Sequence, residues 1–240
     1  YYLFFPAKDH KGIFRIGVAV GKKPEGPFTP MDKPIDGSFS IDPAVYKDDD
    51  GEYYMYFGGI WGGQLQRWRN GVFNSDNPSS PTAFLPNDDE PALLPFVAKM
   101  SDDLLEFAEK PKEVQILDER GKLLLAGDNE RRFFEAAWVH KYDGKYYFSY
   151  STGDTHFICY AIGDNPYGPF TYKGKILNPV VGWTSHHSIC EFKGKWYLFY
   201  HDSSLSKGVT HLRSIKIAEI QYDKDGLIRT LEPYNDFLIL

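Results

Sequence analysis

The hydrophobic pattern of the chain consists mainly of short runs in which aromatic and aliphatic residues alternate, each preceded by a turn dipeptide. Three such runs are DGEYYMYFGG from Asp50, DGKYYFSYST from Asp143 and KGKWYLFYHD from Lys193, and the opening YYLFFPAKD has the form of the end of a fourth. A turn dipeptide followed by alternating side chains predicts a hairpin that leads into a strand. The pattern therefore predicts strands and tight turns along most of the chain.

The strand pattern is a degenerate repeat. VGKKPEGPFTP near residue 25 returns as IGDNPYGPFTY near residue 168, and the turn-plus-strand runs recur at intervals of about 50 residues. All-strand units of this length predict an all-β fold, a β-propeller that forms one domain over residues 1–240. A β-sandwich is the structural alternative, although it would not repeat one turn-plus-strand unit at this period.

One repeat unit carries a long insertion, at about residues 61–131. Its segment NSDNPSSPTAFLPNDDEPALLP is rich in Pro, Ser, Asn and Asp and predicts a loop. VAKMSDDLLEFAEKPKEVQIL follows; there Ser101 could cap a short turn, and the segment is expected to return as an outer strand. The aromatic loop GGIWGGQLQRWRNGVF comes directly after a repeat strand, so Trp61 either walls a ligand site or pads the edge of a blade.

Composition and charge narrow the classes of function. The chain is 17% aromatic and has 22 Gly and 16 Pro, which suits strands and turns. Its net charge is −6 with both signs interspersed, so we expect no nucleic-acid partner, and no apolar run is long enough to predict a membrane span. Cys159 and Cys190 are too few for a disulfide framework and are interpreted as small buried hydrophobic residues, with a single bridge as the alternative.

Three polar residues occupy similar positions in successive repeats. Asp42, Glu135 and His186 each precede the turn glycine of their repeat by eight or nine residues. Equivalent positions place them at the start of the innermost strands, which all line one axis, so we expect their side chains to converge. Each also has a plainer interpretation: Asp42 as the opening of an Asp-Pro turn, His186 as a hydrogen-bonded core histidine, and Glu135 as the partner of a neighbouring arginine, Arg131 or Arg132.

Two carboxylates at one mouth suit glycoside hydrolysis. One carboxylic acid protonates the leaving oxygen, and a second carboxylate activates water or attacks the sugar. Glu135 lies in an apolar run with Phe133, Phe134 and Trp138, where desolvation would raise its pKa as a general acid requires. A non-catalytic carbohydrate-binding propeller is the competing class, because it needs the aromatic mouth but not both acids.

Taken in order, three segments resemble the motifs of glycoside hydrolase family 43. They are SIDPAVYKDDDGEYYMYF, FFEAAWVHKYDGKYYFSYST and TSHHSICEFKGKWYLFYHD. The resemblance extends from the opening strand to about Glu232. That family contains five-bladed propellers, among them β-xylosidases, α-L-arabinofuranosidases and arabinanases.

The resemblance implies roles for individual residues. Glu135 matches the general acid of an FEGPW-type motif, with two alanines replacing the Gly-Pro pair. Asp42 matches the aspartate that tunes the pKa of the acid and orients it. His186 matches a histidine near the axis that contacts a bound metal ion or its waters, and Arg213 matches an arginine of the last blade that approaches the same site. No cofactor is required, and a structural Ca²⁺ on the propeller axis is the metal that the family suggests.

One departure from the family pattern concerns the general base. The family places this aspartate in the first blade, but only 41 residues precede Asp42, and Asp9 and Asp36 lie after a strand and in a turn. We therefore expect the first blade and part of the second to be missing from these residues, and the stretch alone to hydrolyse an aryl xyloside slowly or not at all. The compartment stays open for the same reason, with a bacterial periplasmic or secreted location slightly ahead of a cytoplasmic one.

For the intact protein the resemblance implies inverting removal of xylose or arabinofuranose from hemicellulose oligosaccharides. The partner is then xylan, arabinoxylan or arabinan, and Phe133, Trp183 and Trp61 are expected to wall the sugar pocket. An arabinanase-type endo-hydrolase is an alternative. A fructan hydrolase resembling families 32 or 68 fits less well, because the distinct motif with its nucleophilic aspartate is not visible.

Overall fold

The computed structural model describes residues 1–76, 80, 82–183 and 186–236. Within those ranges the regular elements are fifteen strands and three short 3₁₀ helices. The 3₁₀ helices are Trp61–Gly63, Leu65–Trp68 and Gly153–Thr155. The strands are β1 Tyr2–Lys8, β2 Phe14–Gly21, β3 Phe28–Pro30, β4 Ala44–Lys47, β5 Tyr53–Phe57, β6 Phe96–Lys99, β7 Lys112–Glu113, β8 Ile116–Leu117, β9 Glu135–Tyr142, β10 Lys145–Ser151, β11 Ile158–Gly163, β12 Phe170–Leu177, β13 His187–Phe192, β14 Lys195–Asp202 and β15 Ser214–Ile220.

The strands form four sheets, which confirms the all-β class. Their orders are β1-β2-β3, β4-β5-β6-β7, β8-β12-β11-β10-β9 and β13-β14-β15. Neighbouring strands pair antiparallel, apart from the short parallel pairing of β8 with β12. The three turn-plus-strand runs are β5, β10 and β14, each the second strand of a hairpin, and the opening run is β1. None of the helices in the described ranges is long and apolar enough to span a membrane.

The sheets stack on one another, because alternate side chains of one strand enter different cores. In β10, Tyr146 and Phe148 belong to the core shared with the second sheet, whereas Tyr147 belongs to the core shared with the fourth. In β5, Tyr56 lies in the first of these cores and Met55 in a third, which also contains residues of β2. The two-residue period of a strand thus buries both faces of the middle sheets. Consecutive sheets are therefore held face to face.

The insertion at residues 61–131 is partly integrated into the second sheet. Strand β6 pairs with β5 and β7 pairs with β6, so part of the insertion returns to the second sheet, with β7 at its edge. Ser101 closes the turn after β6, since its Oγ accepts the N–H of Glu106 at 3.1 Å. The remainder of the described insertion runs as loop and turn around the two short 3₁₀ helices.

The two cysteines differ in environment, and both are free thiols. Cys159 is buried, as predicted, but the prediction was wrong for Cys190, which is exposed. Cys190 follows the buried Ile189 on β13, so strand alternation points its side chain to the other face of the fourth sheet. Where only one face of a sheet is covered, a residue that follows a buried residue in the strand is exposed.

Candidate active site

The structure brings Asp42 and Glu135 to one place, at the start of hairpins in different sheets. Asp42 lies two residues before β4, and Glu135 is the first residue of β9. Asp42 Oδ2 accepts the backbone N–H of Ala136 at 3.0 Å. His186, directly before β13, places its Nδ1 3.8 Å from the same carboxylate oxygen. The convergence expected from repeat spacing therefore appears in the structure, with Asp42 as its centre.

Both residues of this hydrogen bond have a left-handed backbone conformation. Asp42 has φ 58° and Ala136 has φ 62°, and the β9–β10 register shifts between Ser149 and Ser151. The left-handed conformation costs a non-glycine residue roughly 1–2 kcal/mol. Ala136 thus adopts the backbone conformation to which glycine is best suited. That conformation turns the Ala136 N–H towards Asp42.

Burial dominates the electrostatics of Asp42. Desolvation raises the pKa of its carboxyl from 3.8 to about 6, against the N–H of Ala136 and the charge of Arg213, which lower it. Burial lowers the pKa of His186, and the negative charge of Glu135 acts in the opposite direction and raises it. The charge of Arg213 lowers the pKa of both Asp42 and His186.

The neighbouring arginines form ion pairs with aspartates of the adjoining loops. Arg131 pairs with Asp128, and Arg132 lies 3.3 Å from Asp154. Their guanidinium groups thus bind the loop before β9 and the turn after β10. Glu135 itself is half-buried.

A second histidine, His201, was missed by the sequence analysis. Its Nε2 accepts the backbone N–H of His186 at 3.1 Å and lies 3.3 Å from Nη1 of Arg213. A ring nitrogen that accepts carries no proton, and burial with the charge of Arg213 lowers the pKa of His201 to about 4. Neutral His201 thus ties Arg213 to the segment that holds His186. Its only sequence signal was its position at the end of the third repeat run, FYHD.

Two tryptophans form an aromatic wall at the mouth. The rings of Trp61 and Trp183 stack with centroids 5.9 Å apart and planes at 20°. Trp183 is 40% exposed and meets His156 edge-on. Trp61 also packs edge-on against Phe134, the residue before Glu135. The Trp61–Trp183 pair is therefore in a position to meet a ligand beside the acids.

Phe133 is the one expected sugar-facing aromatic that the structure contradicts. It is 1% exposed and packs in the core against Phe148 and Tyr150. A side chain that is closed off by its own sheet cannot present a face to a sugar. Phe133 therefore stabilises the base of the site from inside the core.

The glycine-rich loop after β5 packs directly on the segment that carries Asp42. A Cβ on Gly59 would lie 2.6 Å from Cγ1 of Ile41, and one on Gly63 would lie 2.7 Å from the same atom. The Gly59 position is also 3.4 Å from Cβ of Glu135. These glycines allow the segment before β4, the loop after β5 and the start of β9 to meet without a side chain between them.

Trp61 also lines a cavity of about 170 Å³. Its walls combine apolar side chains with a polar cluster, and its lining residues are Ile60, Trp61, Leu85, Pro86, Asp88, Leu93, Ala126, Asn129, Arg132 and Asp154.

Metal binding has no clear ligand set in this region. Within the described ranges, no group of three or more His, Cys, Asp or Glu side chains is placed to hold an ion. Ca²⁺ takes six to eight oxygen ligands, and the side chains at Asp42 supply few. The contact of His186 with a metal ion or its waters, and the axial Ca²⁺, stay predictions.

The four sheets bring Asp42 and the start of β9 together near the stacked pair Trp61 and Trp183. The family profile of glycosyl hydrolases family 43 matches residues 1–81 and 94–228. The chain belongs to this family.

Similar proteins bear related names. A Xylosidase/arabinosidase of Bacteroides ovatus is 64% identical over 97% of this chain and 70% of its own length. Xylosidase/arabinosidase 43A of Humicola insolens is 62% identical over 97% of this chain and 72% of its own. Both proteins extend beyond the matched region.

Solved structures agree with this relation. The β-xylosidase/α-arabinofuranosidase CoXyl43 from a compost microbial metagenome, a xylotriose complex in calcium-free form, is 66% identical with a TM-score of 0.94. The match covers 98% of this chain and 71% of that one. A family 43 enzyme of Xanthomonas citri in complex with xylotriose is 58% identical with a TM-score of 0.92, over 98% of this chain and 69% of that one.

Proposed function

We propose that the protein is a glycoside hydrolase that removes xylose or arabinofuranose from hemicellulose oligosaccharides by inverting acid/base catalysis. The observation that carries this proposal is the hydrogen bond from Ala136 N–H to Asp42, which ties the candidate acid strand to a second carboxylate. The names of its relatives, xylosidase and arabinosidase, support the sugar class. The substrates that follow are xylan, arabinoxylan and arabinan fragments.

In this mechanism Glu135 is the general acid and protonates the glycosidic oxygen. Asp42 fixes the turn at the start of β9 and, when ionised, its charge favours the protonated form of Glu135 through like-charge repulsion. Arg213, held by His201, faces Asp42 from the fourth sheet and offers a donor to the sugar hydroxyls. Trp183 supplies the exposed aromatic face on which a pentose ring stacks.

The general base is a third carboxylate in this proposal. An inverting pair is separated by about 6.5–9.5 Å to leave room for the attacking water. Asp9 pairs with Arg15 and accepts two backbone N–H groups of its own turn, and Asp36 accepts the N–H of Gly37. We therefore assign the base to residues outside these 240. This stretch alone is then expected to turn over an aryl xyloside slowly or not at all.

The same reasoning extends to the architecture. We assign the four sheets to a five-bladed propeller whose first blade, and the inner strand of the second, lie outside these residues. In support, β1 pairs with β2 alone among the described strands, and its Tyr2 and Leu3 are 42% and 48% exposed. An added inner strand would pair with this edge of β1, and an added blade would cover side chains on its face.

The test of the proposed function is Glu135→Gln in the full-length protein, with Glu113→Gln as the matched control. Glu113 is exposed on the short strand β7, away from Asp42. Glu135→Gln should lose at least a hundredfold in kcat on xylobiose while still binding xylose, because general acid catalysis contributes about 10²–10⁴. Glu113→Gln should keep normal kinetics. Unchanged turnover by Glu135→Gln would remove this residue from the mechanism.

A further inference from the structure

The ring of Trp183 lies at the mouth, but its backbone is fixed on the fourth sheet. The N–H of Ser203, the residue after β14, donates to the carbonyl of Val181 at 2.8 Å. Gly182 has φ 112°, and a Cβ there would lie 2.8 Å from Oγ of Ser203. The chain therefore enters Trp183 in close contact with the end of β14, while the residue itself is 40% exposed. The plane of the indole must then be set by the side chains that touch it.

Two aromatic rings contact the indole of Trp183 among the described residues. Trp61 stacks on it with centroids 5.9 Å apart and planes at 20°. His156 meets it with centroids 5.2 Å apart and planes at 89°. A parallel neighbour and a perpendicular neighbour restrain different rotations of a ring, and both are favourable geometries for aromatic pairs. Together the two contacts fix the direction in which Trp183 presents its exposed surface.

His156 is itself held firmly, at the end of a short turn. It follows the 3₁₀ helix Gly153–Thr155, has φ 62°, and donates its N–H to the carbonyl of Gly153 at 2.9 Å. Oγ1 of Thr155 donates to the carbonyl of Asn129 at 2.7 Å. The imidazole is therefore carried by a turn that is tied to the loop before β9.

The same turn rests on Phe134, the residue before β9. A Cβ at Gly153 would overlap the ring of Phe134, so the glycine allows this close approach. Phe134 meets Trp61 edge-on, with centroids 5.2 Å apart. Trp61 stacks on Trp183, and His156 leads from Trp183 back to the turn. These contacts form a closed circuit, in which the position of each ring depends on its neighbours.

The imidazole of His156 has few stabilising contacts of its own. Its Nδ1 is buried and has no hydrogen-bond partner within the described ranges. A buried polar atom without a partner is unfavourable. The contact with Trp183 is the one aromatic contact of this half-buried side chain in the same ranges. Loss of the imidazole should therefore affect Trp183 more than it affects the fold.

We propose that His156 is a positioning residue, which holds the ring of Trp183 in the plane that receives the pentose. The inference rests on the proposed function, because it takes Trp183 as the surface on which the sugar stacks. His156 acts through this ring and not on the reacting atoms. Its loss should therefore weaken the ground state and the transition state equally, which raises KM and leaves kcat unchanged.

A double-mutant cycle in the full-length protein tests this role. His156→Asn removes the ring and keeps a residue that tolerates the left-handed backbone, and Trp183→Ala removes the partner. Calorimetric titration with xylose gives the dissociation constant for the parent, each single variant and the double variant. His156→Asn alone should weaken binding about threefold, the scale of one aromatic pair. Added to Trp183→Ala, it should have no further effect.

Kinetics and a matched control complete the experiment. The same cycle on xylobiose should show the change in KM and not in kcat. His10→Asn, at an exposed position between β1 and β2, is the control and should behave as the parent does. If a melting curve shows that His156→Asn is unfolded, His156→Gly replaces it, because glycine also suits this backbone.

Each alternative outcome has a distinct meaning. If His156→Asn binds xylose as the parent does, or lowers kcat with KM unchanged, the inference is overturned and the proposed function stands. The same holds if His156→Asn weakens binding equally with and without Trp183→Ala, because the two effects are then independent. Unchanged affinity in Trp183→Ala also overturns the inference. A folded full-length parent that hydrolyses neither xylobiose nor an aryl arabinofuranoside overturns the proposed function, and the inference with it.

Discussion

Asp42→Asn should stabilise the protein at neutral pH while abolishing turnover. Burial raises the pKa of Asp42 from 3.8 to about 6, so the folded protein binds this proton more tightly than the unfolded chain does. The free energy of unfolding therefore falls as the pH rises from about 4 to about 6, and the loss persists above that range. A rise of roughly two pKa units corresponds to about 3 kcal/mol.

Asparagine removes this cost because it is neutral at every pH. Its side-chain oxygen can still accept the N–H of Ala136, so the turn at the start of β9 keeps its hydrogen bond. We expect Asp42→Asn to be more stable than the parent by about 1–3 kcal/mol at pH 8 and to differ little at pH 4.

Urea unfolding followed by tryptophan fluorescence at pH 4, 6 and 8 measures this difference. Asp32→Asn, at an exposed position away from the site, is the control and should show no comparable dependence on pH. A variant that is less stable than the parent at pH 8 would refute the reasoning. So would a stability difference that is equal at pH 4 and pH 8.

Two further predictions concern the mouth and the loop beneath it. Trp183→Ala should weaken xylose binding about fivefold with little change in melting temperature, because the ring is 40% exposed and its loss opens no core cavity; unaltered affinity in a titration would exclude it from the pocket. Gly59→Ala should lower the free energy of unfolding by about 1–3 kcal/mol, since the new methyl group would lie 2.6 Å from Ile41. Adding Ile41→Ala should restore part of that loss in urea unfolding, and no recovery would exclude this overlap as the cause.

The strands could be predicted because they follow the local alternation of hydrophobic residues. The proximity of Asp42 and Glu135 could be predicted because both residues hold equivalent positions in the repeats. Strands β5, β10 and β14 follow turn dipeptides, and their alternation survives in the burial of the two faces. Phe133 could not be placed in this way. Phe133 and Phe134 lie before β9, outside the alternation of a strand, and both are buried.

Contacts between segments that are distant in the chain could not be predicted from the sequence. His201 joins Arg213 to the backbone of His186 through a geometry that no spacing rule encodes. The cavity beside Trp61 draws its lining from the insertion, from the loop before β9 and from the turn that contains Asp154. Such sites depend on how loops of different sheets fold over one another, which the hydrophobic pattern leaves open.

The close packing of Gly59 and Gly63 on Ile41 has a consequence for exchanging parts between family members. A chimaera could take the loop after β5 from one family member and the segment before β4 from another. Its loop and segment would then not be matched in side-chain size at their contact. A loop without both glycines would push Ile41, and with it the adjacent Asp42, away from Glu135. Recombination that aims at new sugar specificity should therefore transfer residues 41–42 and 59–63 as one block.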